Sequence, residues 1–276
     1  MKKKIIKKIS KKNFSVAIIG LGYIGLPLGI ACIKSKIKTY GYDNDKEKIG
    51  LLKRKKSYIN TIDNKLLNTS LNKNFFPTSN FENISKHDII IICVPTPLGK
   101  NKSPNLEYVS NVIKDIKNYI RKGQTIILEC TSYPGTTEEY FLPIFKKKKL
   151  KIGKNIFLGY SPEREDPGNK KYSVLKKNIP KVVSGYTKNC SDIVQSFYKL
   201  ITNKVFPVGS IKSAEFTKLL ENIYRSVNIG LINELAEVCQ KMKIDISECI
   251  NAAKTKPFGF KPFYPGPGVG GHCIPV

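Results

Sequence analysis

No C-x-x-C pair occurs in this chain, although it holds seven cysteines (Cys32, Cys93, Cys130, Cys190, Cys239, Cys249 and Cys273). Their odd number and wide spacing exclude a zinc knuckle and a dithiol redox pair, imply no metal, and fit a reducing cytoplasm. Arginine is scarce too. Only Arg54, Arg121, Arg164 and Arg225 accompany 44 lysines among the 48 basic residues. Readers of bases and phosphates lean on the bidentate guanidinium, so the formal charge of +27 does not imply a specific nucleic-acid partner. Lys, Asn and Ile are all abundant and all have A/T-rich codons, which accounts for the charge; non-specific adhesion to polyanions at low salt remains expected. Long hydrophobic runs are missing. Residues 1–12 are Lys-rich but precede no uninterrupted apolar segment or small-residue cleavage site, and read as a basic, solvated tail. Residues 16–33 lack charge over 18 positions, yet Gly20, Gly22, Gly25, Pro27 and Gly29 interrupt them, so no membrane span is expected.

What remains is ordinary globular composition: 276 residues, 41% hydrophobic and 25% charged. A chain of this size buries roughly 70–75% of its unfolded surface, enough for one large domain or a domain and a half without disulfides. Apolar β-rich runs at 15–20, 39–42, 88–94, 125–130, 155–160 and 181–185 alternate with helix-compatible stretches. Their near-continuous Val/Ile/Leu content predicts a parallel sheet covered on both faces, hence the α/β doubly wound class. From 213 to about 243 the pattern becomes one long amphipathic helix, with Phe216, Leu219, Leu220, Ile223, Val227, Leu231, Leu235, Val238 and Met242 at steps of three and four and Ser213 as N-cap. That stripe is either core or a dimer contact. Residues 256–276 then form a Pro/Gly-rich loop, and the abrupt end reads as the front part of something longer.

Gly20-Leu21-Gly22-Tyr23-Ile24-Gly25 directly follows the first strand and opens a helix. The first Gly permits the tight turn, the second lets the backbone approach a pyrophosphate, and the third lets helix and strand pack closely. Unpaired N–H groups at the helix start then face the phosphates. Asp43 ends the second strand 23 residues after Gly20, where a carboxylate takes ribose hydroxyls and favours NAD over NADP. The plain alternative is a turn without a ligand. Cys93-Val94-Pro95-Thr96-Pro97, Glu129-Cys130-Thr131 and the run from Tyr160 through Ser161, Pro162, Glu163 and Arg164 to Gly168 follow three further strands. Open α/β sheets bind ligands at such strand ends, though surface loops are the ordinary reading of each. Lys218, Asn222 and Arg225 share one face of the long helix. Taken singly they read as a solvated stripe, but a Lys and an Asn one turn apart could hold a developing oxyanion. Cys32, Cys93 and Cys239 read as small buried hydrophobes. Cys273, presented on a loop after Gly270, Gly271 and His272, is the candidate nucleophile: its thiol has a reference pKa of about 8.5, which a cation such as Lys218 would lower.

Taken in order and spacing, Gly20-x-Gly22-x-x-Gly25, Val94-Pro95-Thr96-Pro97, Glu129-Cys130-Thr131, Ser161-Pro162-Glu163, Lys218-x-x-x-Asn222 and Gly270-Gly271-His272-Cys273 resemble the UDP-glucose/GDP-mannose dehydrogenase family. Residues 161–169 and 264–276 look most like its UDP-N-acetylglucosamine and UDP-N-acetylmannosamine 6-dehydrogenases. The resemblance implies a Rossmann-type NAD-binding domain at 13–208, the start of a helical central or dimerisation domain at 209–276, and a homodimer through the long helix. It implies two oxidations of a UDP-sugar C6 hydroxyl to a carboxylate, reducing two NAD, to make a polysaccharide precursor. Cys273 would form a thiohemiacetal and then a thioester, Lys218 and Asn222 would stabilise oxyanions, and Glu163 and Thr131 would position the hydrolytic water or move protons. Gly20, Gly22, Tyr23, Ile24, Gly25, Asp43, Lys48, Pro95, Thr96 and Thr131 would bind the cofactor. Glu163, Arg164, Lys218, Asn222, Arg225, Tyr264, Gly268 and Gly270 would bind the sugar nucleotide.

Cys130 stands where the family usually has Ser. The resemblance also calls for an Asp four residues after the catalytic Cys, at a position past these 276 residues, and for a C-terminal UDP-binding domain, which they lack. Without that lid the 276 residues are expected to bind NAD but turn over poorly by themselves. The rival readings are a UDP-glucose 6-dehydrogenase, a β-hydroxyacid or 6-phosphogluconate type dehydrogenase that needs no cysteine, and an NAD-binding remnant without activity.

Overall fold

The computed structural model describes residues 1–71, 75–97, 99, 103–165 and 174–268. Among them, β1 (Ser15–Ile19), β2 (Lys38–Tyr42), β3 (Phe75–Thr78), β4 (Ile89–Ile92), β5 (Thr125–Leu128), β6 (Phe157–Tyr160), β7 (Lys181–Gly185) and β8 (Val205–Pro207) form one sheet in the order β3-β2-β1-β4-β5-β6-β7-β8. The helices are α1 (Lys2–Ser10), α2 (Gly25–Lys34), α3 (Lys46–Lys53), α4 (Asn64–Ser70), α5 (Glu107–Ile116), α6 (Thr136–Lys147), α7 (Lys188–Tyr198), α8 (Ile211–Lys241) and α9 (Ile246–Ala253).

Side chains alternate across a strand, so four consecutive isoleucines in β4 serve two cores at once. Ile89 and Ile91 join Val16, Ile18, Ile127 and Phe157 on the face covered by α2 and α7. Ile90 and Ile92 join Ala17, Ile19, Ile126 and Leu158 on the face covered by α5 and α6. A strand buried on both faces suits a parallel sheet. β1 pairs parallel with both β2 and β4, so the winding reverses between β1 and β4, and the carboxyl ends of β1, β2, β4, β5 and β6 share one edge.

Several expectations are corrected. The sheet is not wholly parallel: β7 runs antiparallel to β6, with Gly159 opposite Gly185 and Tyr160 opposite Ser184. β3 and β8 were not anticipated; each carries a proline (Pro77, Pro207) and each lies at an edge, where a missing N–H is tolerated. The solvated tail is a helix. In α1, Ile5 and Ile9 lie one turn apart and are buried in the core, and Lys2 reaches Asp192 of α7 at 2.5 Å. Helix α8 begins before Ser213, whose N–H donates to Ser210 Oγ at 3.0 Å, so Ser210 is the capping residue. Cys32 and Cys93 are buried as expected, whereas Cys239 is only half-buried.

The chain divides into two compact units, Met1–Pro97 with Asn105–Lys218, and Leu98–Pro104 with Leu219–Val276. In the second, the Tyr224 ring meets Phe263 edge-on at 5.7 Å, and Asn233 Oδ1 accepts the Gly266 N–H at 3.0 Å. The apolar stripe of α8 is exposed along its length, from Phe216 and Leu220 through Val227 (63% exposed) and Leu231 (56%) to Val238, with Met242 just past its end also exposed.

Candidate active site

The turn after β1 shows what each glycine is for. Gly20 has φ +89, and a Cβ there would lie 2.6 Å from the Cys93 carbonyl oxygen. A Cβ on Gly25 would lie 1.9 Å from the Gly20 carbonyl oxygen. Both are therefore demanded by the chain's own sterics. Gly22 is not: its φ is ordinary and a Cβ would meet open space. A glycine without an internal steric reason, beside the start of α2, leaves room for the close approach that a pyrophosphate makes to such a turn. Ile24 at the N-cap of α2 makes no side-chain cap, so the helix end offers N–H groups and a positive dipole to an anion.

Asp43, buried at the end of β2, holds this turn. One carboxylate oxygen accepts the Leu21 N–H at 2.9 Å and the other accepts the Asp45 N–H at 3.0 Å. Tyr58 donates to the Leu21 carbonyl at 2.7 Å. Tyr23 and Pro95 are exposed, Ile24 and Lys48 half-buried, and Thr96 buried, all on the edge where the winding reverses. Lys48 stands 3.6 Å from Asp45. These residues fit a dinucleotide.

Next along the same edge lies a buried ionic network. Because β7 is antiparallel, its first residue, Lys181, arrives where β5 and β6 end. Lys181 Nζ donates to Glu129 Oε1 and, at 3.0 Å, to Glu163 Oε2. Tyr198 of α7 donates its hydroxyl to Glu129 Oε2. Glu163 Oε1 also accepts the N–H groups of Arg164 (2.7 Å) and Glu165 (2.6 Å). Burial pushes the Glu129 carboxyl up to about 7, with Lys181 opposing. Burial acts likewise on Glu163, but Lys181 and the two N–H donors outweigh it and hold that carboxyl below its ordinary value. Burial would deprotonate Lys181, but the two carboxylates keep it charged. Burial also raises the thiols of Cys32, Cys93 and Cys130, which rules these three out as thiolate nucleophiles at neutral pH.

Helix α8 carries the remaining residues. Glu215, fully buried, accepts the Gly135 N–H (2.6 Å), the Thr137 N–H (2.9 Å) and the Thr137 hydroxyl (2.7 Å), tying α8 to the start of α6. Burial raises its carboxyl pKa. Lys218 and Asn222, one turn apart, are each only 7% exposed, which removes them from a solvated stripe; Arg225 stays exposed and fits one. Thr131 is half-buried after β5. Arg164 reaches the Pro180 carbonyl at 2.9 Å. Tyr264 is exposed, its hydroxyl 3.4 Å from Asn251 Oδ1, and Gly268 has φ +110. Gly270, Gly271, His272 and Cys273 lie outside the described residues, as do residues 166–173. Among the described residues no cluster of His, Cys, Asp or Glu could hold a metal, and no helix is long and apolar enough to cross a membrane.

Sequence reasoning missed Lys181, Tyr198 and Glu215. For Lys181 the signal was present: a charged residue directly before Val182 and Val183 in a buried strand. For Glu215 it was a carboxylate one turn before Lys218, on a helix read only for its apolar stripe. Nothing in the local pattern marks Tyr198.

Residues 14–202 match the model for the UDP-glucose/GDP-mannose dehydrogenase family, NAD binding domain, and residues 212–276 match that family's central domain. Protein CapL of Staphylococcus aureus is 41% identical over 267 residues, a match covering 96% of this chain and 61% of CapL. UDP-N-acetyl-D-glucosamine 6-dehydrogenase of Pseudomonas aeruginosa is 39% identical over 267 residues, covering 96% and 62%. The solved structure of the UDP-D-ManNAc dehydrogenase from Pyrococcus horikoshii is similar at a TM-score of 0.86 and 31% identity, covering 94% of this chain and 62% of that one. The chain thus spans about three-fifths of the length of these relatives.

Proposed function

Since the chain belongs to the UDP-glucose/GDP-mannose dehydrogenase family, with its NAD-binding and central domains, we propose that it carries the cofactor site and part of the sugar site of a nucleotide-sugar 6-dehydrogenase. The substrate is a UDP-N-acetylhexosamine, as the names of the relatives suggest. Its C6 hydroxyl is oxidised twice, to a uronate of the kind used as a polysaccharide precursor. When bound, NAD accepts a hydride at each oxidation. We assign 13–208 to the cofactor and 209–276 to the sugar and the dimer contact. Free cysteines fit action in the reducing cytoplasm.

The burial of Lys218 and Asn222 carries this reading. An ammonium and an amide withdrawn from solvent one turn apart suit an oxyanion at C6, since a donor pair in a low-dielectric site stabilises developing charge better than the same pair in water. Gly20, Gly22, Tyr23, Ile24 and Gly25 hold the pyrophosphate, Asp43 and Lys48 the ribose end, and Pro95, Thr96 and Thr131 the rest of the cofactor. Arg164, Arg225, Tyr264, Gly268 and Gly270 hold the sugar nucleotide. Cys273 attacks the C6 aldehyde to give a thiohemiacetal. Loss of the second hydride leaves a thioester, and a water placed by Glu163 and Thr131 hydrolyses it.

A panel of UDP-sugars and 2-hydroxyacids, assayed with the intact protein at the NADH band, tests this. Two NADH per UDP-N-acetylhexosamine, and loss of net turnover in Cys273→Ser, are expected. One NADH per hydroxyacid with Cys273→Ser still active would replace it with the hydroxyacid reading.

A further inference from the structure

We propose that Lys181 is a positioning residue for Glu163: its buried ammonium, anchored by Glu129, fixes the Glu163 carboxylate in one orientation at the carboxyl end of β6. The inference rests on the reaction proposed above but concerns a residue that neither motif nor resemblance selected.

Three observations support it. First, both oxygens of Glu163 are held, Oε2 by Lys181 at 3.0 Å and Oε1 by the N–H groups of Arg164 and Glu165. The backbone donors alone would leave Oε2 free to swing. Second, Lys181 is also held by Glu129, which Tyr198 in turn holds from α7, so the chain of contacts ends in the packed core and not in solvent. Third, this is an awkward way to stabilise a fold. Desolvating an ammonium and two carboxylates is costly, and well-packed apolar side chains commonly serve stability as well or better. The side chains of Lys181 and Glu129 are 7% and 0% exposed, whereas Glu163, at 12%, is the member nearest the open edge. A cavity of about 10 Å³, room for a single water, is bounded by Glu163, Lys181 and Tyr198 together with Leu28 of α2. A carboxylate that must place a water needs a fixed direction more than a matched pKa, and a bridging lysine supplies one.

Among the described residues, the charged and titratable groups that face Glu163 are Lys181 from β7, Glu129 from the end of β5, Cys93 after β4, Tyr198 from α7, and Arg164 and Glu165 from its own loop. Lys181 lies 3.0 Å from Glu163 Oε2 and favours its charged form, so removing it raises the pH at which Glu163 titrates.

The test uses the intact protein. Lys181→Met alone strands two buried carboxylates and can fail to fold, so Lys181→Met/Glu129→Gln, which removes the buried pair together, is the informative variant. Glu163→Gln identifies the Glu163 carboxyl resonance in a ¹³C NMR titration. In the double variant Glu163 should titrate at higher pH than in the parent. With UDP-N-acetylhexosamine, kcat should fall on the order of 10- to 100-fold with the KM for NAD unchanged, and the acid limb of kcat should move to higher pH. A folded double variant with an unmoved Glu163 titration, or with parental kcat and acid limb, overturns the proposal. If the parent oxidises no UDP-sugar, the reaction assigned above fails, while the NMR titration still decides whether Lys181 holds Glu163.

Discussion

Replacing Glu215 by Ala removes the acceptor for three donors at the start of α6, the N–H groups of Gly135 and Thr137 and the Thr137 hydroxyl. A buried donor left without a partner costs about 1–3 kcal/mol. Water entering the space of the lost carboxylate recovers part of that, and the Thr137 hydroxyl can turn towards it, so the net loss should be about 3 kcal/mol. For a cooperative unit of about 200 residues this lowers Tm by about 6–12 °C. Glu215→Gln keeps a carbonyl for Thr137 but turns an NH₂ towards the Gly135 N–H, donor against donor, and should lose about half as much. Thermal unfolding followed by circular dichroism, parent against both variants, measures this. A Glu215→Ala variant melting within about 2 °C of the parent would falsify the claim that this carboxylate ties α8 to α6. Lys218 lies three residues further along α8, so loosening the tie should also lower kcat at temperatures where the variant is still folded.

The glycine turn separates two roles. Gly25→Ala should destabilise the fold, because its Cβ would lie 1.9 Å from a carbonyl oxygen; Gly22→Ala, in open space, should leave Tm unchanged yet weaken NAD binding by calorimetry, and undiminished NAD affinity would contradict a close pyrophosphate approach at this turn. His87 is buried between the Tyr42 hydroxyl (2.7 Å) and Ser15 Oγ (3.2 Å); burial, opposed by Asp88 and reinforced by Arg121, Lys38 and Lys86, depresses its pKa to about 4. The unfolded chain takes up that proton near pH 6.5 and the folded chain only near 4, so stability should drop by about 1–3 kcal/mol as the pH falls across that window. Denaturant titrations of the parent and His87→Gln test it, since the variant should lose that part of the slope; equal slopes refute it. A second copy is the proposed cover for the exposed stripe of α8, so Val227→Glu/Leu231→Glu should turn a dimer into a monomer in light scattering, and a parent already monomeric would dismiss that contact.

Some of this architecture can be read from residue order. Runs such as Ile89-Ile90-Ile91-Ile92 announce strands buried twice over, and Gly20-x-Gly22-x-x-Gly25 ahead of Asp43 announces the dinucleotide edge, because both signals are local. β3 and β8 are hidden by Pro77 and Pro207, which argue against a strand everywhere except at an edge, and edge position is a property of the finished sheet. In α1 the pair Ile5 and Ile9 is masked by five lysines, and the surface offered by α7 makes burial worthwhile. The Glu129, Glu163, Lys181 and Tyr198 network joins residues up to 69 positions apart through a strand reversal that no periodicity encodes.

That reversal also bears on how the chain finds its pairing. β7 is buried on both faces, so hydrophobicity alone would accept a one-residue slip against β6. Two features refuse it. Gly159 and Gly185 sit opposite each other where α7 presses closest, a Cβ on either meeting Val194 at 2.5 Å or the Ser191 nitrogen at 2.1 Å. At the other end of β7, a slip would carry the Lys181 ammonium through the sheet to the side of Ile126 and Leu158, away from Glu129 and Glu163. A lysine at the ligand edge therefore works as a key that lets the chain distinguish one alignment from its neighbours, and a variant lacking it should refold more slowly even where it ends equally stable.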